Sequence, residues 1–475
     1  MASYPDSPSC TVAVVGAGFS GAAATWHLLR GAPPGCEIVL IEPAAELARG
    51  LAYSTPSDSH CLNVPAGRLG LDPADEPAFV AWMRARGHAI EAPDFVPRRW
   101  LGAYVADELE RAAAAACVRG VVFRRVQARV DGVVRNRPPY RLSLSDGATV
   151  SADQLILATG HFPPAAPPLS GPLDWDAPGM ARDPWRDAAL AGLPTGQDVL
   201  LVGTGLTAVD VVSQLRDEGH RGRIHLLSRR GLLPQAHRVH EARPPVGLQP
   251  VAELGDELRL GQILRAVHGW IAQTQADGGD WRDVMASLRP WTPHLWQRLC
   301  ARDRRQFLRH LQPFWDTHRH RLAPAIHERL QAGLAAGDVV AHAGRLIGVE
   351  RLPDGRLQAR WRARGAAGTS TLAVGRIVNC TGPTASLARA NDPLHASLRD
   401  AGVLSPDGLG QGLLVDALLR PIDSSGVPAD GLHYVGPLLK AQRWEAIAIP
   451  ELRVHAREVA RHVLGAVTER CRQVA

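Results

Sequence analysis

Lysine is almost missing from this chain: Lys440 stands alone among 53 basic residues, and the other 52 are Arg. The formal charge is +6 over 475 residues. One reading of that excess is nucleic-acid binding; the other is a GC-rich coding bias toward Arg, Ala, Gly and Pro. Position separates them. Between Trp281 and Leu330 ten Arg stand against four acids, whereas outside that window 43 basic residues meet 43 acidic ones. The basicity is one local feature, which disfavours a chain-wide nucleic-acid footprint.

Clustered cysteine is missing too. The seven Cys lie at least 25 residues apart and no C-x-x-C occurs. That argues against a redox-active disulfide of that type and a Cys-clustered zinc site, leaving the thiols as small buried hydrophobes. The i, i+2 spacing of His318 and His320 does not put both on one helix face, so no metal is expected. No apolar run approaches about 18 residues, and Met1–Asp6 lacks a basic stretch followed by an apolar one. The expectation is a soluble, cytoplasmic protein with no membrane partner. With 45% hydrophobic and 21% charged residues, the chain is too apolar for wholesale disorder and long enough for two or three domains.

What is present is a strand–turn–helix–strand unit, used twice. Thr11–Val15 reads as a buried parallel strand and runs into Gly16-Ala17-Gly18-Phe19-Ser20-Gly21, a helix over 22–30 and a strand over 37–41. Gly16 permits the tight turn, Gly18 lets backbone N–H groups approach a pyrophosphate, and Gly21 allows close helix–strand packing. Glu42 follows at the end of the next strand, 21 residues past Gly21, where a carboxylate accepts ribose hydroxyls and repels a 2′-phosphate. That suits FAD or NAD. The second unit has a strand over 198–202, the turn Gly203-Thr204-Gly205-Leu206-Thr207-Ala208, a helix to about 218 and a strand over 223–227. Ser228, Arg229 and Arg230 stand where the first unit has its acid, which favours the 2′-phosphate of NADP, the alternative being a solvated Arg pair. Two sites of opposite ribose preference imply a held flavin and a nicotinamide that reduces it.

Several motifs resemble those of two-dinucleotide-binding-domain flavoproteins, and more closely a bacterial group of NAD(P)/FAD-binding proteins. They are Val14–Gly21, Arg49–Thr55, Cys61–Gly67, Leu157–His161, Gly203–Ala208 and Trp444–Arg453, spread over about 11–465. The second turn is similar to that of class B flavin-dependent monooxygenases. The resemblance implies an α/β fold of two Rossmann-like domains, the NADPH domain being inserted in a split FAD domain. The first part of the FAD domain is expected at 10–165 and its second part at 370–465. The NADPH domain is expected at 190–368, with a helical insertion at 250–330, and Pro163–Pro168 reads as an extended linker. Crossings between domains are implied at Ala158-Thr159-Gly160 and Cys380-Thr381-Gly382, and Gly436 is implied near the flavin.

The activity implied is an NADPH-using monooxygenase that passes oxygen from O2 to a small molecule through a flavin C4a-(hydro)peroxide, N-hydroxylation being one option. The Baeyer–Villiger fingerprint is not found around 160–185, which lowers that branch. Alternatives are an NADPH-dependent reductase with another acceptor, or a redox sensor without turnover. No catalytic side chain is demanded; Asn63 and His161 are the candidates. Asn63 could bond the flavin edge or the NADP, or simply make a turn before Pro65. Tyr53 could lie near the flavin or in the core, and His161 could move protons or be structural. Arg302–Arg305 and His318–Arg321 could hold an anionic substrate or form a solvated face.

Overall fold

A computed structural model describes residues 8–186, 189–238 and 258–474. Residues 250–257 of the expected insertion lie outside the described residues. The first strand, Cys10–Val15, is buried at all six positions, as its run of Val and Ala requires of a central strand. It lies in a parallel five-stranded sheet in the order 432–434, 154–157, 10–15, 36–41, 122–126. A strand from the far C-terminal part therefore completes a sheet begun at residue 10. The helix Phe19–Gly31 packs on this sheet through the buried run Ala22-Ala23-Ala24 and against the helix Ile449–Val474.

The second sheet has seven strands in the order 370–374, 357–363, 339–351, 224–228, 199–202, 376–379, 180–181. The five from 339–351 to 180–181 are parallel, and the other two extend the edge as an antiparallel pair. Strands 370–374 and 376–379, expected in the second part of the first domain, thus belong to this sheet. The reason is burial: Ile377, Val378 and Asn379 are fully covered on both sides between 199–202 and 180–181. The chain returns to the first domain only beyond Gly382. The proline-rich crossing is not a free linker at its start, because Phe162–Pro164 pairs antiparallel with Pro383–Thr384, the returning strand.

The region from Leu260 to Ala336 is helical, with helices at Leu260–Ala276, Trp281–Leu288, Thr292–Arg298, Gln312–Arg319 and Pro324–Ala336 among others. Its apolar faces converge on Leu288, Leu295, Trp296 and Leu299, and Trp444 of the first domain completes that core. The insertion is therefore packed against the segment that follows strand 432–434. No helix among the described residues is long and apolar enough to cross a membrane.

Candidate functional site

Strand register gathers the first set of predicted residues. Val15 pairs with both Ile41 and Leu157, and Leu157 with Tyr434, so Gly16, Glu42, Thr159, Gly160 and Gly436 all follow the carboxyl ends of adjacent strands. That edge of an open α/β sheet is where dinucleotides bind. Gly16 has φ +96°, and a Cβ there would lie 2.5 Å from the Ala158 carbonyl oxygen. At Gly21 a Cβ would meet the Gly16 oxygen at 1.8 Å, so the helix approaches the turn as closely as glycine allows. Gly18 is extended, with no side chain against it, while Phe19 and Ser20 are buried and offer only their backbone. The Glu42 carboxylate accepts the Ala17 N–H at 2.7 Å and the Ala44 N–H at 3.2 Å. Each oxygen keeps a lone pair for a ribose hydroxyl. The cradle fits FAD.

The second edge repeats this. Val202 pairs with Leu227 and with Asn379, which brings Gly203, Ser228 and Gly382 to one end of the sheet. Gly203 has φ +126°, and a Cβ would lie 2.2 Å from the Cys380 oxygen; Gly205 has open space around it. Thr207 is half-buried and Ala208 buried, on the helix Leu206–Asp217. Ser228 accepts the Gly231 N–H and the Thr204 hydroxyl, both at 3.0 Å, which makes it a turn-former as well as a nucleotide candidate. Arg229 is exposed, whereas Arg230 leans on Phe314 and donates to the carbonyls of Arg309 and His310. The pair divides between the nucleotide edge and the insertion.

The flavin-loop candidates separate. Tyr53 is buried edge-on to Phe19, 6.2 Å between centroids, and burial pushes its phenol well above the usual range. That is a core position behind the first turn. Asn63 lies in a loop whose carbonyl accepts from Nε2 of His237 at 2.8 Å, and His237 comes from the second domain. His161 remains solvent-facing in a concave setting; enclosure and the ammonium of Lys440 lower its pKa to about 4.

Residues that the motifs did not mark complete the junction. Lys440, the chain's one lysine, lies 4.3 Å over the Trp444 ring. Asp316 and Glu445 are its carboxylate neighbours; enclosure raises Asp316 to about 6 despite Lys440. Glu445 is buried in the left-handed region, φ +79°, accepting the Trp315 indole N–H at 2.7 Å, with Arg319 at 2.9 Å. Burial alone would raise its pKa, but Arg319, His320 and Trp315 hold it below the ordinary value. A second contact between domains joins Arg98 to Asp210 at 3.1 Å, both largely buried, with His60 against the Asp210 carbonyl. The rarity of lysine was the one sequence signal that could have flagged Lys440.

The two basic runs are placed differently. Arg302 and Arg305 face solvent, while Arg304 donates to the carbonyls of Trp296 and Gln297 at the end of a helix. Arg289 pairs bidentately with Glu451, and Arg319 with Glu445. Of the candidates for an anionic substrate, Arg302, Arg304 and Arg305 are thus in water or on carbonyls and Arg319 is paired, whereas Arg321 is enclosed near Arg319, Arg282 and Arg238 with its Nε lacking a hydrogen-bond partner. Among the described residues no group of His, Cys, Asp and Glu could hold a metal.

Residues 13–162 match a family model described as FAD-NAD(P)-binding. No curated protein matches the sequence. The fold is similar to that of ornithine N-hydroxylase from Kutzneria sp. 744, with 16% identity, 98% of this chain and 100% of that one covered, and TM-score 0.62. The cadaverine monooxygenase of desferrioxamine biosynthesis from Erwinia amylovora, bound to FAD, gives 12%, 97%, 95% and 0.62. Thioredoxin reductase from Lactococcus lactis gives 12%, 97%, 99% and 0.51. The shared architecture is that of two-dinucleotide-binding-domain flavoproteins.

Proposed function

We propose that the protein is an FAD-dependent, NADPH-using monooxygenase of a small molecule. The observation that carries this is the pair of glycine cradles with different ribose partners, Glu42 in one and Ser228 with Arg229 in the other, on domains joined by the paired crossings 162–164 and 383–384. When bound, the flavin would take a hydride from the nicotinamide and pass one oxygen of O2 to the substrate. The whole-chain likeness to ornithine and cadaverine hydroxylases supports oxygenation of nitrogen, and the absence of C-x-x-C disfavours a disulfide-reducing role.

The chain's own part is binding and orientation. Backbone N–H groups of the first turn would face the pyrophosphate and Glu42 the ribose. Arg229 would hold a 2′-phosphate. The Asn63 loop, fixed by His237, would border the reacting edge. Neutral His161 beside Lys440 would accept a hydrogen bond there.

The test is reconstitution with FAD, followed by NADPH oxidation under 18O2 with amines, amino acids, sulfides and ketones. One 18O in the product, with little free H2O2, supports the reading. Stoichiometric H2O2 or reduction of another acceptor would make it a reductase. A protein that stays colourless, or a flavin that NADPH never bleaches, overturns the proposal.

A further inference from the structure

Inside the helical insertion lies a cavity of about 420 Å³, lined by twenty residues. Leu264, Val267, Trp281, Met285, Trp296 and Phe307 are typical of its wall. Only His268, Gln275, Thr292 and His318 are polar, and no Arg, Lys, Asp or Glu contributes. That exclusion is informative because the same stretch carries the chain's whole excess of Arg, yet no guanidinium reaches this wall, and the lining is left apolar. A volume and lining of this kind suit a small-molecule site.

Two features connect the cavity with the junction. Trp315 and Trp444 belong to its wall, and each also touches the charged cluster, Trp315 through Glu445 and Trp444 beneath Lys440. Moreover, Trp444 is only 2% exposed and its indole N–H has no hydrogen-bond partner. Two other tryptophan N–H groups of the wall are satisfied, that of Trp296 by the Ala441 carbonyl at 2.8 Å and that of Trp315 by Glu445. A buried donor without an acceptor is unfavourable unless something supplies one.

We propose that this cavity is the substrate site, and that its occupant is a small molecule with an aromatic or alkyl body and a hydrogen-bond acceptor placed against Nε1 of Trp444. This rests on the monooxygenase reading and narrows it: the substrate is lipophilic, unlike ornithine or cadaverine. The occupant's body displaces poorly held water from the apolar wall, and its acceptor end lies toward Lys440 and Glu445, where the two domains meet.

The experiment uses the FAD-loaded full chain and three probes: 2-acetylnaphthalene, its acceptor-free analogue 2-ethylnaphthalene, and L-ornithine. Binding is followed by tryptophan fluorescence and calorimetry without NADPH, so it does not depend on turnover. The expected result is that 2-acetylnaphthalene binds at least about tenfold tighter than L-ornithine. Leu264→Trp should weaken both naphthalenes about tenfold while flavin absorbance and its bleaching by NADPH stay unchanged. Trp444→Phe, which keeps the ring and removes the N–H, should erase the advantage of the ketone over the hydrocarbon, about fivefold. Equal or tighter binding of L-ornithine, or naphthalene binding untouched by Leu264→Trp and by a second filling variant, Val267→Phe, overturns the site. A ketone advantage that survives Trp444→Phe overturns the acceptor assignment. The expected binding pattern in a chain that fails the 18O2 assay leaves the cavity assigned as a ligand site and overturns the monooxygenase reading alone.

Discussion

The hydroxyl of Thr159 lies 2.8 Å from Nε2 of His395, and Nδ1 of that imidazole lies 2.7 Å from the Asp392 carboxylate. Asp392 also caps the helix Pro393–Asp400, so the capped helix holds the turn that follows strand 154–157 from 236 residues away. His395 is 3% exposed, and its ring stands edge-on to Phe162. Thr159→Val leaves a buried imidazole nitrogen without its partner and should cost about 1–2 kcal/mol, with weaker FAD retention, whereas Thr159→Ser should restore both. Urea titration and the FAD dissociation constant check this; equal behaviour of Val and Ser would refute it.

The glycines of the two turns should respond in opposite ways. Gly21→Ala places its methyl 1.8 Å from the Gly16 oxygen, so stability should fall by about 3 kcal/mol and flavin loading should fail. Gly205→Ala meets nothing within 4 Å and has φ −83°, which Ala accepts. Its melting temperature should hardly move, yet the KM for NADPH should rise about tenfold, because the methyl stands where a pyrophosphate must approach.

Arg98 and Asp210 form a largely buried ion pair between the two domains, with side chains 16% and 15% exposed. Burial raises Asp210 to about 6 even with Arg98 opposing. Arg98→Met strands that carboxylate and should cost about 3 kcal/mol near neutral pH. Adding Asp210→Asn should recover about 1–2 kcal/mol of it. A double-mutant cycle in urea measures the coupling; additive losses would show the two groups to be independent.

Acid should destabilise the fold before most carboxylates titrate. His60, His433 and His455 are buried, and burial lowers each from 6.5 to about 4. The native state therefore holds fewer protons than the unfolded one in that window. The stability these groups contribute is fully present above pH 6.5 and is lost as pH falls toward 4. The urea midpoint should drop across this range, and His455→Leu, which removes a ring whose Nδ1 has no partner, should shallow the slope by about one proton. A midpoint constant from pH 6.5 to 4 would contradict the assignment.

The arginines of 302–305 should not behave alike. Replacing exposed Arg302 and Arg305 with Ser should change stability by no more than about 0.5 kcal/mol and leave ligand binding alone. Arg304→Met removes two donors from the Trp296 and Gln297 carbonyls and should cost about 1 kcal/mol. Thermal melts of the two variants decide between these roles.

Local rules made much of this molecule legible in its sequence. A turn that needs φ above zero, a backbone approach that leaves no room for Cβ, and a carboxylate one strand later are all set within about thirty residues by sterics and hydrogen bonding. Hence Gly16, Gly21, Glu42, Gly203 and the two strand–turn–helix units could be read directly. Tertiary packing decided the rest. Strand 376–379 joined the second sheet because its apolar residues are covered there; Tyr53 was drawn behind the first turn; Arg289 found its carboxylate 162 residues away. Lys440, conspicuous only for its rarity, acquired its place beside Asp316, Glu445 and Trp444 when the insertion folded onto the C-terminal segment. Such partnerships depend on which distant surfaces bury one another, and no spacing along the chain records that.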